Sequence, residues 1–157
     1  MDLRTIVIID DDSTTRKVLQ WVLERHGFVV VAVSDAEEAI GLCREPQLAV
    51  AAMIADVRLR SRMTGIDVAM AVRREFPDLP VLIISGTPPQ GWAEQDRAVF
   101  EELLKNRADF LDKPFTAGML AEKIAALVSA QPRPPAPPKR DAGASALRAQ
   151  APAGESD

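Results

Sequence analysis

A chain of 157 residues, 47% hydrophobic and 27% charged, has material for one globular domain and would be cramped as two. A single cysteine, Cys43, and a single histidine, His26, exclude a disulfide framework, a cysteine-based zinc centre and any metal site built from several histidines. The formal net charge of −4 argues against a nucleic-acid-binding face, and no apolar run reaches the roughly 18 residues of a membrane span. The acidic start Met1-Asp2-Leu3 does not read as a signal peptide, so the expectation is a soluble cytoplasmic protein.

Thr5 to Ile9 (TIVII) is a β-branched run suited to a strand buried on both faces. Ser13 to Arg25 has helical spacing, with Val18, Leu19, Val22 and Leu23 on one side and Gly27 as a stop. Phe28 to Val33 predicts a second strand, and Asp35 to Arg44 a helix capped by Ser34 or Asp35. A third strand falls within Leu48 to Ala55. Gly65 to Phe76 predicts a helix with Ile66, Ala69, Met70 and Val72 inward, ended by Pro77. Pro80 to Ser85 is a fourth strand, Gly91 to Leu104 a helix, and Asn106 the candidate left-handed cap after it. Asp109 to Asp112 is a short fifth strand. Thr116 to Ser129 is a last helix with Leu120, Ile124, Leu127 and Val128 inward. Five strand–helix units without a hairpin signal predict an α/β fold, a doubly wound parallel sheet covered on both faces.

The composition changes near residue 130. From Gln131 to Asp157 the chain holds six of its twelve prolines and no apolar residue bulkier than Leu147 to anchor a core. It reads as a Pro/Ala-rich flexible tail, either simply solvated or a ligand for a proline-binding domain. The expected organisation is therefore a folded domain over 1–130 and a tail over 131–157. The domain carries 15 basic against 20 acidic residues, so the acidity belongs to it.

Ligands of open α/β sheets bind at the carboxyl ends of the strands, so the residues that follow each apolar run matter most. Asp10, Asp11 and Asp12 follow the first, Asp56 the third, Ser85 and Gly86 the fourth, and Lys113 and Pro114 the fifth. Crowded carboxylates repel and raise one another's pKa. A hard divalent cation relieves that repulsion, and Mg²⁺ accepts one or two carboxylates while keeping other oxygen ligands. A lysine and a hydroxyl can hold phosphoryl oxygens. The set suits phosphoryl transfer to a carboxylate.

These pieces, IVIIDDDSTTRKVL, MIADVRL, PVLIISG and FLDKPF, occur in order, each at a strand end. Together they resemble a response-regulator receiver domain over roughly residues 3–130. The resemblance implies a flavodoxin-like five-stranded parallel sheet in the order 2-1-3-4-5 with five helices. It implies that Asp56 is the phosphoacceptor and that Asp10 and Asp11 hold Mg²⁺ (or Mn²⁺) together with Asp56 and the backbone carbonyl of Arg58. Asp11 is the direct ligand of that pair and Asp10 acts largely through water. Ser85 matches the switch hydroxyl, Phe110 the switch aromatic, Lys113 the phosphate-pairing lysine and Pro114 the cis-proline that aims it. The phosphoryl donor would be a phosphohistidine on a histidine kinase or a histidine phosphotransfer protein.

The chain departs from the family pattern in places. Arg60 stands where a proline is common, and three arginines, Arg58, Arg60 and Arg62, flank the acceptor. They read either as solvated loop charges or, for Arg58 together with Thr87, as residues that tune access of water to the phosphoryl group. The stretch from Gly86 to Asn106 is longer than usual and carries Trp92. Trp21 and Trp92 are candidate docking residues for a partner, against simple packing. The expected function is a stand-alone, phosphorylation-dependent switch of a two-component system or phosphorelay. It would act as a monomer or a phosphorylation-dependent dimer on a downstream protein, without nucleic acid or membrane, and would have no enzymatic activity beyond self-phosphorylation and autodephosphorylation. The alternatives are an aspartate-based, Mg²⁺-dependent phosphatase, whose paired acids Asp10 and Asp12 match superficially, and a phosphorylation-independent interaction module on the same fold.

Overall fold

A computed structural model describes residues 4–129. The expectations for residues 1–3 and for the tail at 131–157 lie outside them. The elements in chain order are β1 (Thr5–Ile9), α1 (Ser13–Arg25), β2 (Val29–Val33), α2 (Ala36–Cys43), β3 (Val50–Asp56), α3 (Gly65–Glu75), β4 (Val81–Ser85), α4 (Glu94–Leu104), β5 (Ala108–Asp112) and α5 (Ala117–Ser129). All strand pairs are parallel and the sheet order is β2-β1-β3-β4-β5, the flavodoxin-like order that the resemblance implies.

Each central strand is buried on both faces, which is why its sequence is a continuous apolar run. Alternate residues feed two cores. Ile6, Ile8, Ile54, Leu82 and Ile84 meet Leu19 and Leu23 of α1 and Leu120 and Ile124 of α5. Val7, Ile9, Met53, Ala55 and Ile83 meet α2, α3 and α4 through Ala39, Ile66, Val72 and Phe100. Each such large side chain, removed from water, contributes about 1.5–3 kcal/mol.

Local chemistry sets the helix ends. Asp12 caps α1, its carboxylate accepting from the Thr14 amide at 3.0 Å and the Thr15 hydroxyl at 2.8 Å. Asp35, not Ser34, caps α2. Thr64 and Asp67 form a reciprocal capping box on α3. The bounds of the predicted elements move by a few residues. A short 3₁₀ turn at Pro46–Leu48 takes the start of the predicted third strand, and another at Pro89–Gly91 delays α4 to Glu94.

Three local expectations need correction. The left-handed residue after α4 is Arg107 (φ 50°), not Asn106. The Asn106 side chain instead bonds the carbonyl of Pro77 at 2.9 Å and Asp78 at 3.0 Å, tying this turn to the α3–β4 loop. Arg107 can then present its carbonyl to the Val81 amide at 3.0 Å, just ahead of β5. Val18, expected inward, is 48% exposed, because α1 rests on the sheet through Leu19, Val22 and Leu23. Within α3, Val68 is fully buried while Met70 is only half-buried.

Candidate functional site

The carboxyl ends of β1, β3, β4 and β5 converge as the strand order requires. Asp10 leaves β1 and is 1% exposed. Its Oδ1 accepts from the Asp12 amide at 2.8 Å, and its own carbonyl accepts from the Arg16 guanidinium at 2.5 Å. Asp56 ends β3, with Oδ1 accepting from the Arg58 amide at 3.2 Å. Lys113, following β5, reaches across β4 to both acids. Its Nζ lies 2.8 Å from Asp56 Oδ2 and 3.4 Å from Asp10 Oδ2. The Lys113–Pro114 peptide is cis, and the Lys113 amide donates to the Ser85 carbonyl at 2.9 Å. The Ser85 side chain at the end of β4 is buried, and its Oγ accepts from the Thr87 amide at 3.0 Å.

One open pocket of about 530 Å³ is lined by Asp10, Asp11, Asp12, Asp56, Arg58 and Arg60, among others. Asp11 faces it half-buried and accepts from the Arg60 amide. Burial raises the Asp10 pKa above its ordinary 3.8, and the nearby Asp56 charge adds to this against the opposing Asp12 amide and Lys113. For Lys113, burial disfavours the ammonium, but the hydrogen bond and charge of Asp56, with help from Asp10, outweigh it and hold the pKa above 10.5. The pocket thus pairs a fixed cation with carboxylates whose charges it does not fully compensate. Among the described residues, no three acidic, histidine or cysteine side chains gather closely enough to hold a metal ion by themselves. An open set of oxygen donors of this kind fits a cation that keeps several ligands from water or substrate, as Mg²⁺ does.

Gly65 sits where α3 meets the end of β3. A Cβ there would fall 1.9 Å from the Asp56 carbonyl oxygen, so only glycine allows the approach. Sequence reasoning marks Gly65 only as a helix start, because the closeness of the two elements is a tertiary fact. It also misses Arg16, which braces the Asp10 backbone from one turn into α1.

The remaining candidates lie around this centre. Phe110 on β5 is half-buried, in edge-to-face contact with Trp92 and Phe100 at centroid distances of 5.6 and 6.0 Å. Trp92 turns inward onto that pair, 5.0 Å from Phe100. Trp21, by contrast, is 58% exposed, with the Arg25 guanidinium 4.6 Å above its ring. It lines an apolar groove with Val18, Val22 and Phe115. Arg58, which lines the pocket, donates to the Thr87 hydroxyl at 3.3 Å. Cys43 is remote from the site and buried, which pushes its thiol up to about 11.

The 2-1-3-4-5 sheet with acids and one lysine at its carboxyl edge is the arrangement that the resemblance to receiver domains leads one to expect. Residues 6–125 match the family model described as the response regulator receiver domain, and the chain belongs to that family. It is 32% identical over 122 residues to the C4-dicarboxylate transport transcriptional regulatory protein DctD of Rhizobium meliloti, covering 75% of this chain and 24% of that protein. A response regulator receiver protein from Sinorhizobium medicae has a crystal structure that superposes with a TM-score of 0.66 at 27% identity, covering 82% of this chain and 97% of the other. The chemotaxis protein CheY4 of Vibrio cholerae superposes with a TM-score of 0.68 at 20% identity, covering 80% and 99%, and shares the fold. The chain spans about a quarter of the length of DctD and of the nitrogen assimilation regulatory protein NtrX of Azorhizobium caulinodans, another relative.

Proposed function

We infer that this chain, as a member of the receiver family, works as a phosphorylation-dependent signalling domain of a two-component system, with a histidine kinase or phosphotransfer protein as its partner. We propose that Asp56 is its phosphoacceptor. The observation that supports this most directly is the Lys113 ammonium held against both Asp56 and Asp10 at the carboxyl edge of the sheet. An Asp56 oxygen attacks phosphorus of a phosphohistidine, the P–N bond breaks, and its electron pair returns to the imidazole of the donor. Lys113 stays charged at neutral pH and pairs with the oxygens of the transferred group. Ser85 rotates from the Thr87 amide to a phosphoryl oxygen, and Phe110 on the adjacent strand carries the change to the outer surface. Mg²⁺ (or Mn²⁺), held by Asp10, Asp11, Asp56 and the Arg58 carbonyl, would neutralise charge on the phosphoryl oxygens. No separate substrate is turned over. The domain acts in the cytoplasm as a switch on a downstream protein, and among the described residues no helix is long and apolar enough to cross a membrane.

Incubation with acetyl phosphate, with and without Mg²⁺, tests this reading. The expected result is a single Mg²⁺-dependent phosphorylation, lost in Asp56→Asn. Labelling that persists in Asp56→Asn, or that maps to Asp10, overturns the assignment. Steady turnover of small phosphate esters would make the protein an aspartate-based phosphatase instead.

A further inference from the structure

The loop from Gly86 to Ala93, which the sequence marks as part of an unusually long connection, is organised around Thr87. Three hydrogen bonds fix that residue. Its amide donates to Ser85 Oγ at 3.0 Å. Its carbonyl accepts from Trp92 Nε1 at 2.7 Å. Its hydroxyl accepts from the Arg58 guanidinium at 3.3 Å. Its methyl carbon lies 2.7 Å from where a Cβ on Gly91 would stand, so a side chain at position 91 would have to displace it. Trp92 is itself wedged edge-on against Phe100 and Phe110. A single indole therefore joins the β5 aromatic to the residue that bridges Ser85 and Arg58.

We propose that Trp92 is a positioning residue for the phosphorylated state, acting through Thr87, and that it sets the lifetime of the aspartyl phosphate. The proposal rests on Asp56 being the acceptor. While Trp92 holds the Thr87 carbonyl, the Thr87 hydroxyl keeps Arg58 in the lining of the pocket. Hydrolysis needs a water oxygen to attack phosphorus from that side. The bond from phosphorus to the Asp56 oxygen breaks, inorganic phosphate leaves, and the carboxylate is restored. An anchored Arg58 hinders the approach of that water, and a loosened one lets it in. The inward-packed Trp92 also reports on the switch, because any shift of Thr87 or Phe110 alters the surroundings of its indole.

Trp92→Phe keeps an aromatic ring against Phe100 and Phe110 but removes the N–H donor. The full chain and this variant are labelled with acetyl phosphate and Mg²⁺, the donor is removed, and loss of phosphate from Asp56 is followed. The variant should lose phosphate about three- to tenfold faster, the range one hydrogen bond supports. In an Arg58→Ala background the same substitution should change the rate by less than about 1.5-fold, because its effect passes through Arg58. In a Trp21→Phe background, where Trp92 is the remaining tryptophan, beryllofluoride with Mg²⁺ should shift the fluorescence. An unchanged rate for Trp92→Phe, an equal acceleration without Arg58, or silent Trp92 fluorescence with Asp56 normally labelled overturns the role of Trp92 alone. Absence of Asp56 labelling in the unsubstituted chain overturns the acceptor assignment and this inference with it. Thermal unfolding of Trp92→Phe within a few degrees of the parent separates positioning from loss of fold.

Discussion

Asp10 carries the largest conflict of forces in the pocket. It is almost fully buried, faces the Asp56 carboxylate, and has the Asp12 amide and Lys113 as compensation. Its pKa is raised from 3.8, so the folded chain holds the proton to a higher pH than the unfolded chain does. Between 3.8 and the raised value the folded state binds more protons, and stability falls as pH rises through that window. The ionised form of Asp10 therefore works against folding, as expected of a group kept for function. Asp10→Asn removes the charge while its side-chain oxygen can still accept from the Asp12 amide. The unfolding free energy of Asp10→Asn, measured in urea with a chelator present, should exceed that of the parent at pH 7. The difference should shrink as pH falls toward 4. A less stable Asn variant at pH 7 would mean that attraction to Lys113 outweighs burial.

Among the elements, the junction of β3 and α3 is where fold and site depend on the same atoms. α3 begins at Gly65, whose amide donates to the Val57 carbonyl at 3.0 Å and whose missing side chain admits the Asp56 carbonyl. In Gly65→Ala the obstacle is backbone, not a flexible side chain, so β3 and α3 must separate. That should destabilise the domain by about 3 kcal/mol, read from denaturant midpoints, and slow labelling of Asp56 by shifting its backbone. The strands and the residues at their ends were legible because buried parallel strands write continuous β-branched runs and each run here stops at a polar residue, whereas the strand order was implied only by the resemblance to receiver domains. Loop conformations were less legible. Arg107 is left-handed because Asn106 bonds across to Pro77 and Asp78, partners 28 or 29 residues away in sequence. Trp92 reads as a surface residue until α4 and β5 bring Phe100 and Phe110 beneath it. Arg73, which no sequence pattern singles out, is buried near the end of α3, where it donates to the carbonyls of Leu79 and Asn106.

At the scale of the whole molecule, the two faces of the sheet are finished differently. On the α2–α3–α4 side Trp92 folds inward and completes the core. On the α1–α5 side Val18 and Trp21 stay exposed at 48% and 58%, and with Phe115 they line an apolar groove of about 470 Å³. Phe115 follows the Lys113–Pro114 pair directly, so this groove has one wall two residues along the chain from the lysine that pairs with Asp56. A phosphohistidine donor must bring its imidazole to Asp56 while resting on neighbouring surface, and a wide tryptophan ring already ordered by Arg25 is a low-entropy anchor for it. Trp21 contributes little to the core, since α1 is fixed by Leu19, Val22 and Leu23. Trp21→Ala should therefore slow phosphoryl transfer from a phosphorylated histidine phosphotransfer protein by about tenfold or more. Thermal stability should stay within a few degrees of the parent, and labelling by acetyl phosphate, which needs no protein surface, should stay within about twofold. Equal losses with the protein donor and the small donor would place Trp21 in the support of the pocket, and an undiminished protein-donor rate would move the docking surface away from α1.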